Sequence, residues 1–182
     1  MKRMISLITV VALVLSAACA AAAGVTFSTD YFTLQLPDEW EIDTEDLESE
    51  DGRQCLGYFG GPEDIDLVGV AYLVYYEELK DFALWNSDDE ELQAYTDVLL
   101  EEYKDSNPEL IGVVKADKIP LVMIRNNDDD GEFIYVDTIT NGYSVQIIFE
   151  LIDANGEKTY PVTEEKIGQI KDILATFLPE TK

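Results

Sequence analysis

Two strand-like apolar runs, Phe133 to Thr140 and Tyr143 to Ile152, are separated only by Asn141-Gly142. A two-residue connection between paired strands needs positive φ at both positions, and Asn and Gly reach that conformation at least cost. This pair commits the middle of the chain to an antiparallel hairpin, and the remaining segments must be arranged around it. Leu110 to Lys115 and Ile119 to Asn126 read as two more strands just upstream. Consecutive strands joined by short turns favour antiparallel pairing.

The flanking segments supply the rest of a domain. Phe32, Leu34 and Leu36 alternate with Tyr31, Thr33 and Gln35, the two-residue period of a half-buried strand, which Pro37 ends. Trp40 follows as an expected core anchor. Gln54 to Phe59 reads as a strand before the Gly60-Gly61-Pro62 turn. Leu67 to Tyr76 is apolar on both faces and is expected to be central in the sheet. Ser87-Asp88-Asp89-Glu90 has the form of a capping box with Ser87 at the N-cap. Leu92, Tyr95, Leu99 and Tyr103 then recur at helical spacing, with Val98 beside them, predicting a helix from about Asp88 to Lys104. Near the end of the chain Thr163 is placed to cap a second helix. Its stripe is Ile167, Ile170, Leu174 and Phe177, supported by Ile173 and Leu178, and Pro179 closes it. The expected fold class is α+β: one domain over residues 24–182, a mostly antiparallel sheet sandwiched by two amphipathic helices.

The first 23 residues stand apart. Lys2 and Arg3 precede an apolar core from Ile5 to Leu15, and Ser16 to Gly24 is a run of small residues. That is the three-part plan of a secretory signal peptide. The apolar core is shorter than the about 20 residues a membrane span needs. Two outcomes of processing are open. Cleavage after an Ala-x-Ala site such as Ala23 would release a soluble protein. Alternatively Leu15-Ser16-Ala17-Ala18-Cys19 resembles a lipobox, and lipidation of Cys19 would tether the chain to the cell envelope. Either way the expected location is extracytoplasmic. With Cys19 removed or lipidated, Cys55 has no partner for an internal disulfide, so the core alone must hold the fold.

The Phe32-Thr33-Leu34-Gln35-Leu36-Pro37-Asp38-Glu39-Trp40 segment resembles the opening strand and Pro-x-x-Trp signature of PsbP-like domains. The closing plan is similar too: a strand hairpin, then a helix ending Ile173-Leu174-Ala175-Thr176-Phe177. The resemblance spans about Phe27 to Leu178. It implies an α/β/α sandwich, with an antiparallel sheet between helices, and a binding or assembly role more than catalysis. Pro37 and Trp40 carry over as structural positions only.

Charge and composition narrow the function. Twelve Lys and Arg stand against 38 Asp and Glu, a formal net charge of −26, and the leader contains two of the bases and no acid. Such a surface repels nucleic acid and anionic lipid and favours cationic partners. Membrane association is expected only through a lipid anchor. The clusters Glu48-Ser49-Glu50-Asp51 and Asp88 to Glu91 suit a basic protein partner or plain solvation. The chain has no histidine, which removes Ser-His-Asp and Cys-His nucleophiles and imidazole metal sites. Gly57-x-x-Gly60-Gly61 lacks the Lys-Ser or Lys-Thr of a phosphate loop.

Carboxylate chemistry remains. Asn126, Asp128, Asp130 and Gly131, within Asn126–Glu132, match the alternating oxygen ligands and turn glycine of a calcium loop, and Asp137 falls where the bidentate acid belongs. Asn in place of Asp at the first position, Asp in place of Glu at the last, and strand-like flanks depart from that pattern. A hairpin turn through Asp130-Gly131 is the competing reading. The expected function is an exported, non-catalytic binding or assembly domain. A weak calcium-responsive module and a carboxylate-based hydrolase are the alternatives.

Overall fold

The computed structural model describes residues 24–45, 47–49, 52–62, 65–128, 131–153 and 161–180. The leader with Cys19, Asp130 and the Asn155-Gly156 pair lie outside them. In chain order the described elements are β1 (Val25–Ser28), β2 (Phe32–Leu36), β3 (Glu41–Asp43), β4 (Gln54–Gly60), β5 (Ile65–Tyr75), α1 (Asp89–Glu102), β6 (Glu109–Ala116), β7 (Ile119–Asp128), β8 (Gly131–Thr140), β9 (Tyr143–Asp153), α2 (Glu164–Leu174) and β10 (Leu178–Pro179). No helix among these is long and apolar enough to cross a membrane.

The Asn141-Gly142 hairpin forms as its sequence demands. Asn141 has φ 51° and Gly142 φ 80°, and β8 pairs antiparallel with β9 from Thr140↔Tyr143 to Phe133↔Glu150. Around it grows a seven-stranded antiparallel sheet of order β3-β4-β5-β9-β8-β7-β6. The long β5 lies inside it, paired with β9 from Ile65↔Asp153 to Tyr75↔Tyr143 and with β4 on its other side. Residues alternate between the two faces of each strand. On one face Val122, Ile124, Phe133 and Tyr135 pack against Leu99 of α1, with Leu92, Tyr95 and Tyr103 beside it.

The opposite face is the larger core. Met123, Val136, Ile147 and Phe149 of the sheet meet Ile167, Ile170 and Leu174 of α2 there. They also meet Phe27, Phe32 and Leu34, which belong to a second, three-stranded antiparallel sheet of order β1-β2-β10. Trp40 is buried in the same cluster. Gly69 makes room for a core ring: a Cβ at that position would stand 2.2 Å from the Phe59 ring. Phe59 thereby reaches Phe27, Phe149 and Trp40 at centroid distances of 5.0, 5.8 and 6.1 Å. Full burial of a side chain of this size contributes roughly 1.5–3 kcal/mol.

The second sheet corrects the expected architecture. The main sheet is antiparallel, but the α/β/α sandwich of the α+β reading does not form. Among the described residues there are two α-helices and two sheets, and strand is the dominant structure. The larger core is covered by β1, β2 and β10 together with α2, not by a helical layer. The cause lies in the chain ends. Val25–Ser28 turns back on β2 with the register Phe27↔Leu34. After α2 the backbone runs extended, so Leu178 pairs with Thr33 and the Glu180 N–H donates to the Tyr31 carbonyl at 2.8 Å. Leu178, expected to support the α2 stripe, is exposed on β10.

Candidate functional site

At one end of the interface between the two sheets lies a crevice of about 460 Å³. Its floor is a single row across three strands of the large sheet: Leu73 on β5 faces Val145 on β9, which faces Thr138 on β8. The next row outward, Tyr143 with Thr140, forms its lip. Phe177, buried against Phe32 at 5.1 Å between ring centroids, closes the inner end. Tyr31, from the β1–β2 turn, and the segment after α2 complete the far wall.

Sequence orders that wall locally. The Thr29 hydroxyl oxygen accepts from the backbone N–H groups of Tyr31 and Phe32 at 3.1 and 3.0 Å, the side-chain turn for which Ser and Thr are suited. The Tyr31 ring then stands 6.2 Å from the Tyr143 ring, and Tyr75 backs Tyr143 at 4.9 Å. Tyr75 is itself held by donating to Glu77 at 2.8 Å.

The floor carries a polar group in an apolar setting. Thr138 is 4 % exposed, and its hydroxyl has no hydrogen-bond partner in the protein. Leaving a buried hydroxyl unsatisfied costs about 1–3 kcal/mol, so native structures rarely do it without a reason. Asp30 and Glu180 are exposed, and among the described residues no lysine or arginine lines the crevice. A wider depression of about 700 Å³ lies between the Pro37–Trp40 turn and α2. There Lys166 and Asp66 pair at 2.5 Å, so its buried charges already neutralise each other.

On the opposite face of β8, Asp137 occupies the centre of a polar cluster beneath α1. It is 1 % exposed. Its carboxylate accepts hydrogen bonds from Tyr95 at 2.6 Å, Tyr135 at 2.5 Å and Ser144 at 2.9 Å. Burial pushes the carboxyl up to about 6; the three hydroxyls pull the other way by favouring the anion, and the Glu102 charge adds to the rise. Burial, and then the charge of Asp137, raise the Tyr95 and Tyr135 phenols, which therefore remain O–H donors. Asp137 itself is closed off from solvent, and its bond from Tyr95 ties α1 to the sheet.

Of the calcium candidates the structure describes Asn126, Asp128 and Asp137, and the β7–β8 ladder continues through Asn126↔Phe133 to Asp128↔Gly131. Asn126 is fully buried, and neither atom of its amide head has a protein partner. Asp128 is exposed at the end of β7, and Asp130 lies outside the described residues. Glu132 is turned away to accept from the Val162 N–H at 2.8 Å and to face Arg125 at 3.7 Å. Asp137 is four residues along β8 from Phe133, about 13 Å at strand rise, and its oxygens are taken by hydroxyls. The structure does not gather Asp137 with Asn126 and Asp128. Among the described residues no group of acidic or thiol side chains is arranged to hold a metal. Cys55 is a free, buried thiol.

Several crevice residues were not apparent in the sequence. Thr138 is an ordinary strand residue there, and Asp30, Tyr31 and Glu180 come together only through the β1-β2-β10 sheet.

No protein-family model matches the chain, and no curated protein matches it. Among solved structures, one from Bacteroides thetaiotaomicron VPI-5482 is similar with a TM-score of 0.46 and 14% identity, over 87% of this chain and 49% of that one. The present chain spans about half the length of that protein.

Proposed function

We propose that this chain is an exported, non-catalytic binding domain and that the crevice between its two sheets holds a small ligand. One observation carries the reading: the buried Thr138 hydroxyl, without a protein partner, on the floor of a crevice of about 460 Å³. Binding sites combine apolar walls with a few convergent polar groups in clefts of roughly this size. Leu73, Val145 and Phe177 supply the walls, and the hydroxyl offers a hydrogen bond whose formation on binding relieves an existing cost. The basic start, short apolar core and small-residue run of the leader support export. The lack of histidine throughout the chain supports binding over nucleophilic catalysis.

Chemical-shift mapping of the ¹⁵N-labelled protein against a fragment library tests this. Expected are saturable shifts confined to the backbone around Leu73, Thr138, Val145 and Phe177, abolished when Val145→Trp fills the floor. Shifts scattered over the surface, or persisting in the filled variant, would overturn it.

A further inference from the structure

The edges of the two sheets differ. β3, at one edge of the large sheet, has three residues. In the smaller sheet the edge strands β1 and β10 have four and two, and β10 ends in Pro179. Short strands and proline are common means of keeping an edge from pairing. β6, at the other edge of the large sheet, runs for eight residues, Glu109–Ala116. Among the described residues its backbone bonds to β7 alone. We propose that this edge is a second binding surface, independent of the crevice, and that it takes an extended segment of another protein as an added strand.

The groups on display select that occupant. Alternate residues of an edge strand direct their N–H and C=O away from the sheet, and another extended backbone meets them in register. The apolar side-chain rows also run out to this edge. On the α1 face Leu110 lies opposite Ile124 and Val113 opposite Val122, and the edge members stay 40 and 36 % exposed. On the other face Ile111 and Val114 are half-buried against the larger core. An added strand with apolar side chains covers all four and extends both cores. A bulge between Leu110 and Gly112 guards one end, and Lys115 is the single charge from Leu110 to Ala116. The ladder from Gly112 to Ala116 is regular. Charge weighs against a second copy of the chain as the occupant. Each copy carries a formal −26, and like-charged molecules repel on approach. The partner segment is therefore apolar at successive positions and without net negative charge.

Amide hydrogen exchange and ¹⁵N chemical shifts of the purified protein, titrated with three peptides at physiological salt, test this. The first peptide alternates valine and threonine between lysine pairs. The second is its fully N-methylated form, which has no backbone donors. The third carries glutamates in place of the lysines. The first is expected to give saturable shifts confined to β6 and β7 and to slow exchange at alternate β6 amides about tenfold. The N-methylated form should not slow them, and the glutamate form should bind several-fold more weakly. Leu110→Lys with Val113→Lys, both at exposed positions, should weaken the first peptide about tenfold while shifts elsewhere stay unchanged. Equal binding of the N-methylated form would overturn backbone pairing, and equal binding of the glutamate form would overturn the charge of the partner. No binding of the first peptide at millimolar concentration would overturn the site. A dimer in light scattering, with β6 amides already protected in the free protein, would assign the edge to a second copy and refute the proposal.

Discussion

Thr138 and its neighbour Asp137 point to opposite faces of β8 and present opposite problems. The hydroxyl of one has no partner, and the carboxylate of the other has three. If the Thr138 hydroxyl serves a ligand, removing it should help the free protein. Thr138→Val is expected to stabilise the unliganded chain by about 1 kcal/mol in urea melts while weakening ligand capture; a loss of stability would show that the hydroxyl already serves the fold. For Asp137 the sign follows from linkage. Its ordinary value is 3.8 and its folded value about 6, so the folded protein holds the proton more tightly. The resulting stabilisation is complete below 3.8 and is lost as pH rises through 6, on the order of 2–3 kcal/mol. The stability gap between wild type and Asp137→Asn should therefore widen in favour of wild type from neutral pH toward acid. A gap independent of pH would contradict this. The spacing of Asp137 after Asn126 suggested a metal ligand; in the sheet the two share a face but stand four residues apart along the β7–β8 ladder, and sequence distance does not reveal that separation or the hydroxyls bonded to Asp137. Its partner Tyr95 is 42 residues away on α1.

The helices and the long strands were readable because each has many turns or rungs over which a period can declare itself. β5, β7, β8 and β9 fall where alternation and apolar runs place them, and Thr163 caps α2 by accepting from the Lys166 N–H. The start of α1 is offset by one residue. Ser87-x-x-Glu90 and Asp88-x-x-Glu91 fit the capping pattern equally, and the structure uses the second: Asp88 accepts from the N–H groups of Glu90 and Glu91, and Glu91 accepts from that of Asp88. Ser87 is engaged elsewhere, its hydroxyl donating to the Ala83 carbonyl at the preceding 3₁₀ turn. Asp88→Ala should accordingly cost about 1 kcal/mol, and Ser87→Ala clearly less, in thermal or urea melts. The reverse ranking would restore Ser87 as the cap. Short elements left no such trace. β1, β3 and β10 contain four, three and two residues, too few for a period to emerge.

Those short elements decide the architecture. β1, β2 and β10 form a separate sheet that shares the larger core with α2, replacing the helical layer expected from two amphipathic helices and from the PsbP-like resemblance. Local patterning cannot show this, because the pairing of β10 with β2 joins residues about 145 positions apart, such as Thr33 and Leu178. The same pairing brings Asp30, Tyr31 and Glu180 to one end of the large sheet, so the crevice is a product of topology more than of any motif. The most direct test is a crystal structure of the protein grown with a fragment selected by the chemical-shift mapping. We predict the fragment along Leu73 and Val145, with a polar atom bonded to the Thr138 hydroxyl. A crevice closed by Tyr31, with the Thr138 hydroxyl bonded within the protein, would contradict the assignment.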